Sequence, residues 1–190
     1  MHTKTPIILA SASPRRQELL KNAGIEFTVQ PSDIPEVPRA GESPRAFGER
    51  MALEKARAIQ GHAKGYVILA ADTVVAVGDE ILGKPEDAAD AARMLRLLSN
   101  RTHQVITAVC LLAAEFEDVQ SETTAVHFNA MSEAEIAEYV ATGEPMDKAG
   151  AYAIQGLASR WISEIEGDYY NVVGLPVDLV WRMLHEHKVV

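Results

Sequence analysis

Arg15 and Arg16 fall where a helix least tolerates positive charge. The segment Pro6-Ile7-Ile8-Leu9-Ala10-Ser11-Ala12-Ser13-Pro14-Arg15-Arg16-Gln17-Glu18-Leu19-Leu20 reads as a short apolar strand, a tight turn and a helix. Ser13 is a natural N-cap, and Pro14 suits the first helical position, where its missing N–H costs nothing. The two arginines then lie in the first turn, at the positive end of the helix dipole, where each exposed cation costs about 0.3–1 kcal/mol. A bound anion reverses that sign. Free backbone N–H groups, the Ser11 and Ser13 hydroxyls and two guanidinium forks would together form a phosphate cradle. The competing reading is a solvated basic turn.

Asp72 is the second candidate. It interrupts the apolar run Ile68-Leu69-Ala70-Ala71-Asp72-Thr73-Val74-Val75, where an ionised carboxylate costs several kcal/mol unless it is paired, hydrogen-bonded or metal-bound. It could cap a bulge or pair with a buried arginine. Functionally it could be a metal ligand, a general base or both, with the Thr73 hydroxyl beside it. Lys84, in the rigid turn Gly83-Lys84-Pro85, and Lys55, within a helix, are candidate cations; each could equally be a solvated surface lysine. Asp147-Lys148-Ala149-Gly150 reads as an ordinary loop.

The elements that must position these residues alternate between strand and helix. Phe27 to Gln30 is a short strand, followed by a loop with Pro31, Pro35 and Pro38. Ser43-Pro44 repeats the cap-then-proline signal and opens a helix to about Gln60, closed by Gly61. Tyr66 to Val77 has the composition of a central strand buried on both faces. Gly78-Asp79 turns the chain into Glu80-Ile81-Leu82 as a hairpin. A helix from about Pro85 to Leu98 and strands over His103–Leu112 and Glu122–Phe128 follow. Ser132-Glu133-Ala134-Glu135 is a capping box for a helix ending near Gly143. A glycine-rich segment, Gly150 to Gly156, leads to a strand around Trp161 to Ile165, and the last helix runs from near Pro176 to about His187. The chain has no repeats or linkers, which indicates one α/β domain over residues 1–190 with a mixed sheet.

Composition narrows the function. The 190 residues are 47% hydrophobic and 24% charged, enough for a full core. A net charge of −9 argues against nucleic-acid or membrane partners, so a local cationic cluster points to a small anion. Cys110 is the only cysteine and sits in an apolar run, as a core thiol rather than a nucleophile. No signal-like or membrane-spanning run is evident, so a cytoplasmic location is expected. P-loop, Rossmann and nucleophile-elbow motifs are absent. The six histidines show no zinc-like spacing and read as solvated.

Taken together, Ser11-Ala12-Ser13-Pro14-Arg15-Arg16, Glu54-Lys55-Ala56, Ala71-Asp72-Thr73-Val74-Val75, Gly83-Lys84-Pro85, Ala151-Tyr152-Ala153-Ile154-Gln155-Gly156 and Asn171-Val172-Val173-Gly174-Leu175-Pro176 resemble the Maf family of nucleoside triphosphate pyrophosphatases, over nearly the whole chain. The resemblance implies a fold similar to inosine-triphosphate pyrophosphatases: a long mixed central sheet with flanking helices and two lobes around a cleft. It implies metal-dependent hydrolysis of a nucleoside triphosphate to monophosphate and pyrophosphate, with Mg²⁺ or Mn²⁺, or Co²⁺ as a third candidate. By position, Ser11, Ser13, Arg15, Arg16, Lys55 and Lys84 would hold the triphosphate and Asp72 would be catalytic. Glu36 in Ile34-Pro35-Glu36 would contribute with Asp72 to the metal, although Asp33 remains open for that role. Arg15, Thr73 and Gln155 are similar to the branch acting on dTTP and UTP, with Gln155 a candidate reader of the pyrimidine edge. Clearing of non-standard pyrimidine nucleotides would be one role. A nucleotide-sensing regulator of septum formation without turnover is the alternative. A homodimer is expected, from the resemblance and from the apolar face Leu179, Val180, Met183 and Leu184. Arg160, Trp161 and Asp168 depart from the family pattern and are expected to affect surface or dimer contacts.

Overall fold

A computed structural model of the chain describes residues 5–190. Its strands are β1 (Ile7–Leu9), β2 (Thr28–Val29), β3 (Val67–Val77), β4 (Glu80–Leu82), β5 (Thr102–Leu112), β6 (Glu117–Phe128) and β7 (Ile162–Glu166). The helices are α1 (Pro14–Asn22), α2 (Pro44–Gln60), α3 (Ala88–Leu98), α4 (Glu133–Ala141), α5 (Tyr169–Val173) and α6 (Val177–Glu186). All seven strands join one mixed sheet in the order β2-β1-β3-β5-β6-β7, with β4 added to β3. β1 is parallel to β2 and β3, and the remaining pairs are antiparallel. The expected α/β class with a long mixed sheet is what the chain forms.

The register of β3 places the cleft. Along one edge β3 pairs with β5 from Ile68 to Ala76. Along its other edge β1 covers only Val67 to Leu69, and β4 covers only Val75 to Val77. Between them the edge of β3 is unpaired, and Asp72 and Thr73 stand in that gap. Successive residues of a strand point to opposite faces. Asp72 therefore shares a face with Ile68, Ala70 and Val74, which pack with Ala52, Ala56, Phe47 and Met51 of α2. Thr73 shares the other face with Leu69, Ala71 and Val75, in the core shared with α1, α3, α4 and α6.

Several sequence expectations need correcting. α3 starts at Ala88 with Asp87 as N-cap, because the Asp87 carboxylate accepts the Asp90 N–H at 2.8 Å. β6 begins at Glu117, five residues before the expected Glu122; its first half alternates poorly between apolar and polar residues and so carried little strand signal. α5, capped by the Asp168 carboxylate, was not expected at all, since five residues are too few to show helical periodicity. Trp161 is a core residue, 4% exposed, with its indole N–H on Glu135, and Asp168 is a helix cap; neither forms a bare surface. Leu179, Val180, Met183 and Leu184 of α6 are 0–4% exposed inside the chain's own core, so these four residues do not form an exposed apolar face. Cys110 is buried as expected, and its thiol is pushed up to about 12, first by burial. His103 is buried rather than solvated, 2% exposed, its Nε2 2.7 Å from the Tyr152 hydroxyl; burial, with the charge of His127 second, lowers it to about 4. His2 lies outside the described residues.

Candidate active site

The two ends of the gap carry the anion-binding groups. Where β1 stops, the chain turns through Ser11–Ser13 into α1, and the expected cap forms: Ser13 Oγ accepts the Arg16 N–H at 3.5 Å, with Pro14 in the first turn. No acidic residue lies in that turn to offset Arg15 and Arg16. Where β4 stops, the chain turns through Gly83-Lys84. Residues 147–156 close the far side, tied to this turn by the Gly150 N–H on the Gly83 carbonyl at 3.1 Å. The result is one cleft of about 1220 Å³ lined by Arg15, Arg16, Lys55, Asp72, Lys84 and Gln155 among others.

The expected residues divide by their partners. Among the described residues Arg15 and Lys84 make no ion pair, and the Gln155 amide makes no hydrogen bond to the protein. Arg16 is anchored: Nε donates to the Gly174 carbonyl at 2.8 Å, Nη1 to Ser11 Oγ at 3.3 Å and Nη2 to Thr73 Oγ1 at 3.0 Å. Burial lowers its pKa from the ordinary value, and the charges of Asp72 and Glu36 oppose that.

Lys55 settles which way its helix faces. Its Nζ lies 2.6 Å from Asp72 Oδ1 and 2.6 Å from Glu36 Oε1. α2 can approach β3 closely because Gly48 faces Val74, where a Cβ would come within 3.3 Å of a valine methyl. Burial acts to raise the Glu36 carboxyl, but the Lys55 hydrogen bond, then the charges of Lys55, Lys84 and Arg16, hold it below the usual range. Of the two acids in this loop, Glu36 is the one at the cleft; Asp33 is exposed and does not line it.

Three contributors escaped sequence reasoning. Arg50 of α2 fixes the Glu36 loop by donating to Glu42 at 2.6 and 2.7 Å and to the Val37 carbonyl at 3.0 Å. Lys148 lines the cleft and holds Asp147 at 2.6 Å. That hydrogen bond, opposed by burial and joined by the charges of Lys148 and Arg15, lowers the Asp147 carboxyl, which puts this loop within electrostatic reach of the arginine turn. Thr107 interrupts the apolar run of β5 just as Asp72 interrupts β3, and that signal could have marked it.

A family model described as Maf-like protein matches residues 6–187. The chain belongs to the Maf family. Maf relatives with names include a dTTP/UTP pyrophosphatase of Koribacter versatilis, 53% identical over 178 residues, covering 94% of this chain and 92% of the relative. The dTTP/UTP pyrophosphatase of Symbiobacterium thermophilum is 52% identical over 178 residues, with the same coverages of 94% and 92%. That of Geobacter sulfurreducens is 51% identical over 176 residues, covering 92% of each chain. Among the described residues of this Maf chain no helix is long and apolar enough to cross a membrane.

Proposed function

We propose that this Maf chain hydrolyses dTTP and UTP to the monophosphate and pyrophosphate, in the cleft at the unpaired edge of β3. The observation that carries this is one cleft lined by Arg15, Arg16 and Lys84 together with a carboxylate, Asp72, that Lys55 holds in place. The names of relatives about half identical over almost the whole chain support the substrate.

The triphosphate lies along the turn between Ser11 and Arg16, with Lys84 on its other side. Asp72 accepts the proton of a water aligned with the α-phosphorus. The water oxygen forms the new bond, the bond from the α-phosphorus to the bridging oxygen breaks, and pyrophosphate leaves with that oxygen. Charge added to the equatorial oxygens is met by preorganised guanidinium and ammonium groups, whose loss costs roughly 1.5–3 kcal/mol each.

A divalent cation fits the donor set. Two carboxylate oxygens, from Asp72 and Glu36, converge on one point that the Lys55 ammonium now fills. Among the described residues no cluster of three or more His, Cys, Asp or Glu completes a cage, so phosphate oxygens and water would supply the remaining ligands. Bound there, Mg²⁺ or Mn²⁺, with Co²⁺ tolerated, would neutralise phosphate charge. Gln155 reads the O4/N3 edge of the pyrimidine, since its amide offers both a donor and an acceptor. A cytoplasmic location and a homodimer remain part of this proposal, with no nucleic-acid or membrane partner.

Incubation with dTTP, UTP, CTP, GTP, ATP and 7-methyl-GTP plus Mg²⁺ or Mn²⁺ tests the proposal. Pyrophosphate released first from dTTP and UTP is the expected result. Tight binding without release from any nucleotide would overturn it in favour of nucleotide sensing.

A further inference from the structure

Behind the cleft lies a closed ring of hydrogen bonds that no catalytic role has yet used. Arg16 Nη2 donates to Thr73 Oγ1 at 3.0 Å, and the Thr73 and Thr107 hydroxyls lie 3.0 Å apart. Thr107 Oγ1 donates to the Asn171 carbonyl at 3.0 Å, the Gly174 N–H donates to that carbonyl at 3.1 Å, and Arg16 Nε donates to the Gly174 carbonyl at 2.8 Å. Thr107 and Asn171 are fully buried.

The proton directions follow from counting. A hydroxyl has one proton. Thr107 gives its proton to the Asn171 carbonyl, so in its contact with Thr73 it accepts. The Thr73 proton then goes to Thr107 at 3.0 Å rather than to the Gly174 carbonyl, the longer contact at 3.4 Å, and either way Thr73 has only lone pairs for Arg16. The chain Arg16→Thr73→Thr107→Asn171 therefore runs one way, each link polarising the next. Thr73 has no proton left for a nucleotide base. Arg16 uses three of its five N–H groups in this frame, and one on each terminal nitrogen remains, the pair that makes an end-on fork to a phosphate.

Asn171 is itself locked. Its amide behaves like a strand residue against β5, accepting the Thr107 N–H at 3.0 Å and donating to the Val105 carbonyl at 2.9 Å. Its second N–H goes to Thr124 Oγ1 at 2.9 Å, whose own proton goes to the Asp168 carbonyl at 2.9 Å. A satisfied buried network of this kind has a single geometry, and that geometry reaches Arg16.

We infer that Thr107 and Asn171 are positioning residues that fix the Thr73 hydroxyl and, through it, aim the free fork of Arg16 at the substrate phosphates. The inference rests on the triphosphate reading of the cleft.

A double-mutant cycle tests it, with Thr107→Val, Arg16→Lys and both together. It is read as kcat/KM for dTTP and, independently of turnover, as the dissociation constant of inorganic tripolyphosphate. Thr107→Val alone is expected to lose about tenfold in each, and Thr107→Ser to restore most of the loss. In the Arg16→Lys background Thr107→Val is expected to cost less than about twofold, because the group it aims is gone. Multiplying effects in the tripolyphosphate cycle would overturn the relay. Absence of turnover in the parent protein would instead sink the functional reading, and the binding cycle would still decide the relay. Should Thr107→Val fail to fold by circular dichroism, Thr73→Val replaces it with the same expected outcomes.

Discussion

The Lys55 ammonium touches Asp72 at 2.6 Å with both side chains almost wholly out of solvent, 11% and 7% exposed. A carboxylate placed in an apolar strand is thus balanced by a lysine one helix away, and Glu36 shares the same ammonium. Removing one partner of a buried pair leaves an uncompensated charge, at a cost of about 3 kcal/mol. Lys55→Met is therefore expected to lower the melting temperature markedly. Mn²⁺ is expected to raise the melting temperature of the variant more than that of the parent, since the ion replaces the missing charge. Equal shifts in the two proteins would show that the two carboxylates do not form a cation site.

Acid stability should depend on the anchor of the Glu36 loop. The Arg50 hydrogen bond, against a smaller opposing effect of burial, lowers the Glu42 carboxyl to about 2. A depressed carboxylate stabilises the fold fully above its ordinary value and loses that contribution as pH falls through the folded value. Glu42→Gln is expected to flatten the fall in stability between about pH 4.5 and pH 2, as read by urea unfolding across that range. It is also expected to raise KM, because the loop holding Glu36 loosens.

Gly150 has φ of +69°, and a Cβ there would lie 2.7 Å from a Val75 methyl. Gly150→Ala combines overpacking with a left-handed backbone and is expected to destabilise by about 2 kcal/mol. Val75→Ala in the same background should recover part of the loss, which thermal melts of the single and double variants would measure. Strict additivity would mean that the contact is not the cause.

Base preference is assigned to Gln155. Gln155→Glu exchanges its two N–H donors for acceptors, and its preference for dTTP and UTP over purine nucleotides is expected to fall about tenfold or more. A competition assay with paired pyrimidine and purine substrates reads this directly. An unchanged ratio would remove Gln155 from base recognition.

Much of this was legible from local signals. The Ser13-Pro14 and Ser43-Pro44 caps, the capping box at Ser132 and the β3–β4 hairpin follow from turn and cap chemistry, and each forms as expected. Asp72 announced itself by being charged within an apolar strand. What stayed hidden was long-range. The direction of Lys55, the Arg50 contact with Val37 and the Thr73–Thr107–Asn171–Val105 links join residues 13 to 66 positions apart in sequence, and nothing local marks such partners. The apolar face of α6 misled for the same reason: a helix pattern shows that a face is covered but not whether the chain itself covers it.

Hydrolysis of dTTP in ¹⁸O-labelled water, with Asp72→Asn alongside, tests the central claim most directly. Attack at the α-phosphorus puts the label in the monophosphate and leaves the pyrophosphate unlabelled, and the variant is expected to lose at least a hundredfold in rate while still binding nucleotide. Label in the pyrophosphate, or an Asp72→Asn variant as fast as the parent, would contradict the account of this cleft.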